Sequence, residues 1–92
     1  TIDLENRIVK KNGINIELTL KEYELLEVFA RNPQKVFSRE ELLQKAWGYD
    51  FMGDTRAVDI CITRLRKKIE EDSSNPKHIL TVYGFGYRFG GA

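Results

Sequence analysis

Arg56-Ala57-Val58-Asp59-Ile60-Cys61-Ile62-Thr63-Arg64-Leu65-Arg66-Lys67-Lys68-Ile69 is the stretch on which the fold turns. Val58, Ile62, Leu65 and Ile69 recur at i, i+4, i+7 and i+11, a spacing that puts four apolar side chains on one face of a helix. A helix is predicted from about Thr55 to Glu71, with this seam against a core and its other faces free for contact. Arg56, Arg64, Arg66, Lys67 and Lys68 against Asp59 give +4 within thirteen residues. A helix fits the major groove of B-DNA, where arginine pairs bidentately with guanine and small apolar groups meet the thymine methyl. Arg64 beside Ala57, Cys61 and Ile60 offers that mixture. A solvated face fits the composition equally well, because cations near a helix C-terminus also favour the macrodipole.

The flanking sequence supplies the rest of the fold. Upstream, Ile2 and Leu4, then Ile8 with or without Val9, then Ile14, Ile16 and Leu18 alternate with polar residues, the period of half-buried strands. Asn12-Gly13 tolerates the positive φ angles of a type I′ turn, so Arg7 to Lys10 should pair with Ile14 to Leu18. Thr19 with Glu22 is a capping-box pattern that starts a core helix at Leu20, and Asn32-Pro33 ends it. A second box, Ser38 with Glu41, opens a short helix through Trp47, which Gly48 terminates. Gly48 to Asp54 is then a loop whose Tyr49, Phe51 and Met52 are apolar. Such groups either fold back on Trp47 or form a contact surface. Downstream, Ile79 to Val82 and Tyr87 to Phe89 make a hairpin around Gly84-Phe85-Gly86, both glycines being explained by turn geometry. Helix, short helix, loop, long basic helix and hairpin follow the order of a winged helix-turn-helix, an α+β fold.

Composition narrows the function. Ninety-two residues make one domain, and 41% hydrophobic with 32% charged residues is an ordinary globular balance. The net charge of +1 hides an asymmetry, −2 over residues 1–55 and +3 over residues 56–92. No apolar run is long enough to span a bilayer, and the single cysteine, Cys61, cannot form an internal disulfide, which suits a reducing cytoplasm. Because the only methionine is Met52, residues are expected to precede Thr1 in the complete product. Enzyme readings are weak. His78 is the only histidine and lies in a loop, far in sequence from Cys61, so no Cys-His dyad, catalytic cluster or metal-ligand cluster is expected, and no cofactor. Gly84-Phe85-Gly86 lacks the third glycine and the following helix of a dinucleotide loop.

Leu18-Thr19 with Glu22 and Leu25-Leu26, Val36-Phe37-Ser38-Arg39-Glu40 with Leu42-Leu43, Trp47-Gly48, Arg56-Ala57-Val58-Asp59, Arg64-Leu65-Arg66-Lys67-Lys68 and Val82-Tyr83-Gly84-Phe85-Gly86-Tyr87-Arg88-Phe89 together resemble the DNA-binding effector domain of OmpR/PhoB-type response regulators. The resemblance covers essentially the whole chain. It implies a four-stranded N-terminal antiparallel sheet, three helices, a strand near Lys35 to Phe37 and a C-terminal wing. It also implies a receiver domain before Thr1, transcriptional regulation, and binding to tandem DNA half-sites beside a second copy. Position by position, Arg64 resembles the family's base-reading arginine, with Ala57, Cys61 and Ile60 facing the same groove. Trp47, Arg56, Thr63, Arg66, Lys67 and Lys68 resemble phosphate contacts, and Thr81 and Tyr87 resemble backbone contacts beside the wing of Tyr83, Gly84, Phe85 and Gly86. Gly48, Tyr49, Asp50, Phe51, Met52, Gly53 and Asp54 correspond to the loop that touches RNA polymerase. Two positions depart from the family: Tyr83 and Thr63 stand where many members carry arginine, which implies fewer ionic contacts and weaker affinity per domain. The competing class is an interaction module of the same fold that binds an acidic protein; dependence of binding on duplex sequence separates the two.

Overall fold

The computed structural model describes residues 1–48 and 53–90. The order is β1 (Ile2–Asp3), β2 (Ile8–Lys11), β3 (Ile14–Asn15), α1 (Leu20–Arg31), β4 (Val36–Ser38), α2 (Arg39–Trp47), α3 (Arg56–Ile69), β5 (Ile79–Val82) and β6 (Gly86–Phe89). Two three-stranded antiparallel sheets flank the helices, one ordered β1-β2-β3 and the other β4-β6-β5.

Local chemistry sets the helix starts. Thr19 and Ser38 each accept the backbone N–H three residues on, while Glu22 and Glu41 reach back to the cap N–H, so both capping boxes form. These contacts hold the Glu41 carboxyl below the usual range, the Ser38 N–H contributing most. α1 stops at Arg31, where the Asn32 side chain donates to the Val28 carbonyl at 2.8 Å. α2 stops at Gly48, whose φ of 99° suits glycine.

Three expectations need correction. Among the described residues the N-terminal sheet has three strands, not four, and its third is short because Ile16 to Leu18 leave it after a single Ile16 N–H to Val9 carbonyl bond and run into the Thr19 cap. The hairpin is shifted: Arg7 is left-handed at φ 55° and falls outside the strand, while Asn12 and Gly13, at φ 54° and 78°, form the expected positive-φ turn between Lys11 and Ile14. α3 is shorter than Thr55 to Glu71. The Asp54 carboxylate accepts the Arg56 N–H at 3.0 Å and starts the helix there, and Glu70 leaves it in an extended conformation.

The core sits between α1, α2, α3 and the second sheet. Leu25, Leu26, Phe29, Phe37, Leu42, Val58, Leu65 and Ile79 are fully buried. Phe29 meets Phe37 edge to face, 6.0 Å between ring centres. The expected strand between the first two helices is β4, and it pairs with β6, Phe37 opposite Tyr87 and Ser38 opposite Gly86. Gly86 is therefore not a turn residue. A Cβ there would collide with the Phe37 carbonyl oxygen, so the absence of a side chain lets the central strand close on β4. The turn is made by Tyr83 to Phe85, with Gly84 at φ 78° and the Phe85 N–H on the Val82 carbonyl.

Candidate nucleic-acid interface

Around α3 the side chains divide by helical position. Val58, Ile62 and Leu65 face the core, as the apolar seam predicts, with Ile69 half-buried. On the opposite side Arg56, Ile60, Thr63, Arg64 and Lys67 are exposed, and Ala57 is half-exposed beside them. Ile60, 50% exposed, is an apolar group at the middle of this basic face. The side chains of Arg56, Arg64 and Lys67 make no hydrogen bond or ion pair with the described residues, and the Thr63 hydroxyl donates to the Asp59 carbonyl at 3.0 Å. Between these two faces lie two flanks, and both are bonded internally.

The flank toward β5 and β6 carries Asp59 and Arg66. Arg66 donates to the Ile79 carbonyl from Nε (3.1 Å) and Nη2 (2.7 Å) and to Thr81 Oγ1 at 2.9 Å. Its guanidinium lies 5.5 Å from the centre of the Tyr87 ring. The Tyr87 hydroxyl donates to Asp59 Oδ1 at 2.7 Å, and Arg39 Nε meets the same oxygen at 3.1 Å. Burial, followed by the bond to Asp59, pushes the Tyr87 phenol above its usual range, so it remains a donor.

The flank toward α1 carries Cys61 and Lys68. Lys68 Nζ donates to Glu22 Oε1 at 2.6 Å, and Glu22 also accepts the Thr19 N–H at 2.9 Å. Burial alone would raise the Glu22 carboxyl, but Lys68 and Thr19 outweigh it and hold the group below the usual carboxylate range. Cys61 is 6% exposed, and burial, reinforced by the Glu22 carboxylate, pushes its thiol up to about 11. A groove of about 450 Å³ runs over this flank between Thr19, Trp47, Ala57, Ile60, Cys61 and Arg64. Lys21 borders it, its ammonium 5.8 Å from the centre of the Trp47 ring and bonded to the Ala46 carbonyl at 2.8 Å.

The second hairpin projects beside α3, with Tyr83 92% and Phe85 55% exposed at its tip. Its base is fixed by Glu70, only 3% exposed, whose carboxylate accepts the N–H groups of Lys77, His78 and Ile79 at 2.9 to 3.2 Å. Lys11 from β2 donates to the Glu70 carbonyl at 2.8 Å, joining the N-terminal sheet to the end of α3.

The candidate residues thus fall into different environments. Arg56, Ala57, Ile60, Thr63, Arg64 and Lys67 share one outward face. Cys61 does not face outward with them; it is one of the four buried positions of α3, with Val58, Ile62 and Leu65. Arg66, Lys68, Thr81 and Tyr87, expected at phosphates, have protein partners, and Tyr87 is buried. Trp47 is half-exposed at the groove. Gly48, Gly53 and Asp54 are described, whereas Tyr49, Asp50, Phe51 and Met52 lie outside the described residues. Glu22, Arg39, Asp59 and Glu70 went unnoticed in the sequence as site-forming residues. Only Glu22 carried a local signal, its capping box.

The comparisons agree with this architecture. Residues 13–89 match the family described as transcriptional regulatory protein, C terminal. The chain is 47% identical over 90 residues to the sensory transduction protein RegX3 of Mycolicibacterium smegmatis, covering 98% of this chain and 40% of that protein. It superposes with a TM-score of 0.91 and 41% identity on the response regulator DrrB, a Thermotoga maritima OmpR/PhoB homolog, over 98% of this chain and 41% of that one. The DNA-binding domain of Klebsiella pneumoniae RstA, solved in complex with the RstA box, gives a TM-score of 0.83 at 35% identity, over 96% and 87% of the two chains. This chain thus spans about 40% of the length of RegX3 and DrrB. It belongs to the transcriptional regulatory protein C-terminal family, the winged-helix DNA-binding effector domains of OmpR/PhoB-type response regulators.

Proposed function

We propose, from that membership, that this domain binds duplex DNA by laying the outward face of α3 in the major groove, and that it does so as the output end of a longer regulator with a receiver domain before Thr1. The observation that carries the reading is the set of Arg56, Arg64 and Lys67 around Ile60, cations without an internal partner among the described residues, on a helix whose flanks are both bonded. A basic face left open while neighbouring Arg66 and Lys68 have protein partners fits a polyanion that supplies the missing counter-charge. Arg64 reads a base, with Ile60 and Ala57 offering apolar contact to a thymine methyl. Arg56, Thr63, Lys67 and Trp47 lie against phosphates. Cys61 supports the helix from beneath, and Arg66, Thr81 and Tyr87 hold the wing, any phosphate contact of theirs being secondary.

Two copies reading tandem half-sites, RNA polymerase as the partner of the loop 48–54 and a cytoplasmic location complete the proposal on the strength of the family. Among the described residues no helix is long and apolar enough to cross a membrane. Selection of bound duplexes from a random pool tests the reading: enrichment of one short sequence is expected. Equal retention of all duplexes would favour the acidic-protein alternative.

A further inference from the structure

Asp59 is the only acidic residue between Arg56 and Ile69, and it stands on the element proposed to enter a polyanion. A carboxylate near phosphates opposes binding, so its presence calls for a compensating role. Its surroundings supply one. One carboxylate oxygen takes the Tyr87 hydroxyl of β6 and Arg39 Nε of α2, bringing two elements to a point on α3. Seven residues on, about 10 Å along the helix axis, Arg66 grips the Ile79 carbonyl and Thr81 of β5 and lies against the same Tyr87 ring. A single contact between helix and hairpin leaves a hinge. Two contacts about two turns apart fix an angle.

We propose that Asp59 is a positioning residue: by holding the Tyr87 hydroxyl and Arg39 it sets the angle between α3 and the wing, so that the Arg64 face and the Tyr83 tip reach one duplex together. The proposal rests on the reading of α3 as the DNA-binding helix and adds the wing tip to the same surface. It goes beyond that reading by naming Asp59 as the residue that sets the wing angle through Tyr87. The Tyr87 hydroxyl has one proton to donate, and Asp59 takes it. If that hydroxyl served a phosphate, removing Asp59 would free it and remove a negative charge, and binding would tighten. If Asp59 positions the wing, its removal weakens binding. The two accounts therefore predict opposite signs.

The experiment measures binding of the full chain and its variants to a duplex carrying the selected site and to an unrelated duplex. Asp59→Ala and Tyr87→Phe should each weaken specific binding by about fivefold or more, and the double variant should be no worse than the weaker single, as for residues acting through one contact. Tyr83→Ala should weaken the wild type but lose its effect in the Asp59→Ala background, a coupling that loss of stability alone would not produce. Asp59→Asn keeps an acceptor oxygen and should restore binding, which keeps the test sound should Asp59→Ala fold poorly. Equal or tighter binding by Asp59→Ala, additive losses in the double variant, or failure of Asp59→Asn to restore binding would each overturn the proposal. A wild type that binds no duplex would instead overturn the function on which it rests, and the proposal with it.

Discussion

The two flanks of α3 use the same kind of contact on different foundations. Toward α1, one lysine meets one carboxylate: Lys68 bonds Glu22, whose other contact is local to the α1 cap. Toward the wing, Arg66 and Asp59 reach two strands and a second helix through Ile79, Thr81, Tyr87 and Arg39. The α1 flank joins α3 to an element that already packs against it and shares its core, Leu25, Leu26 and Phe29 being clustered with Val58, Ile62 and Leu65. The wing flank orients a projecting hairpin whose tip touches little else. Breaking the first should therefore appear in stability alone, and breaking the second also in how the domain meets DNA.

The largest effect is expected at the base of the wing. Glu70→Ala leaves three backbone N–H groups without their acceptor, at about 1–3 kcal/mol for each that is buried. A loss near about 3 kcal/mol is expected by chemical denaturation, and a loss under about 1 kcal/mol would mean that water or a neighbour replaces the carboxylate easily.

Next, Arg64→Ala should weaken the preferred site by about 1–3 kcal/mol and relax preference at one base position, without lowering the melting temperature. Arg66→Ala should lower melting temperature and affinity together, because it removes bonds to Ile79 and Thr81. Equal losses of specific and non-specific binding for Arg64→Ala would remove it from base reading.

Adjacent lysines sharpen the comparison further. Lys67→Ala should reduce the salt slope of binding by about one and leave stability unchanged, as for a phosphate contact. Lys68→Ala should do the reverse, since it strands a buried Glu22. That stranding has a pH signature. In the wild type the folded carboxyl titrates below its ordinary value near 4.5, so its contribution is fully present above that pH and is lost as pH falls through the lowered folded value. Without Lys68, burial pushes the carboxyl up and the sign reverses: the variant's deficit is largest near neutral pH and shrinks as acid protonates Glu22. Melting curves between about pH 6 and 3 would show the reversal, and identical profiles would mean that Thr19 alone holds the charge.

The smallest effect concerns Cys61. With its thiol at about 11 and 6% exposed, it should react with alkylating reagents at pH 8 far more slowly than in the unfolded chain, and Cys61→Ala should leave base preference intact. A changed base preference would return Cys61 to the groove.

What the sequence disclosed followed the range of the interactions. Both capping boxes span three residues and were legible, as were the α3 seam, the Asn12-Gly13 turn and the order of elements. Resemblance supplied what periodicity could not, the strand β4 and the functional class. The polar partners were hidden because they are remote: Glu22 and Lys68 are 46 residues apart, Asp59 and Tyr87 28. The resemblance places Arg66, Lys68, Thr81 and Tyr87 at phosphates, and nothing local in the sequence announces their partners within the fold. The same blindness assigned Gly86 to a turn, since nothing nearby in sequence announces the Phe37 carbonyl. Cys61 was misplaced for a different reason, because the core sector of α3 extends further toward α1 than its four aliphatic residues indicate.

Ser38 closes β4 opposite Gly86 and caps α2 through its hydroxyl, with no residue between strand and helix. The joint behaves as a welded elbow: an extra residue there would swing α2 by about 100° about its axis and drag Leu42 and Ala46 out of the core. The polar stretch Asp72 to Asn75 has the opposite character, exposed throughout and secured mainly by Asp72 with Ser74 and Asn75. Insertions that lengthen this domain are therefore expected in the 72–75 turn and excluded at Ser38, so a tag or fused module placed at that turn leaves the reading face at its native pitch.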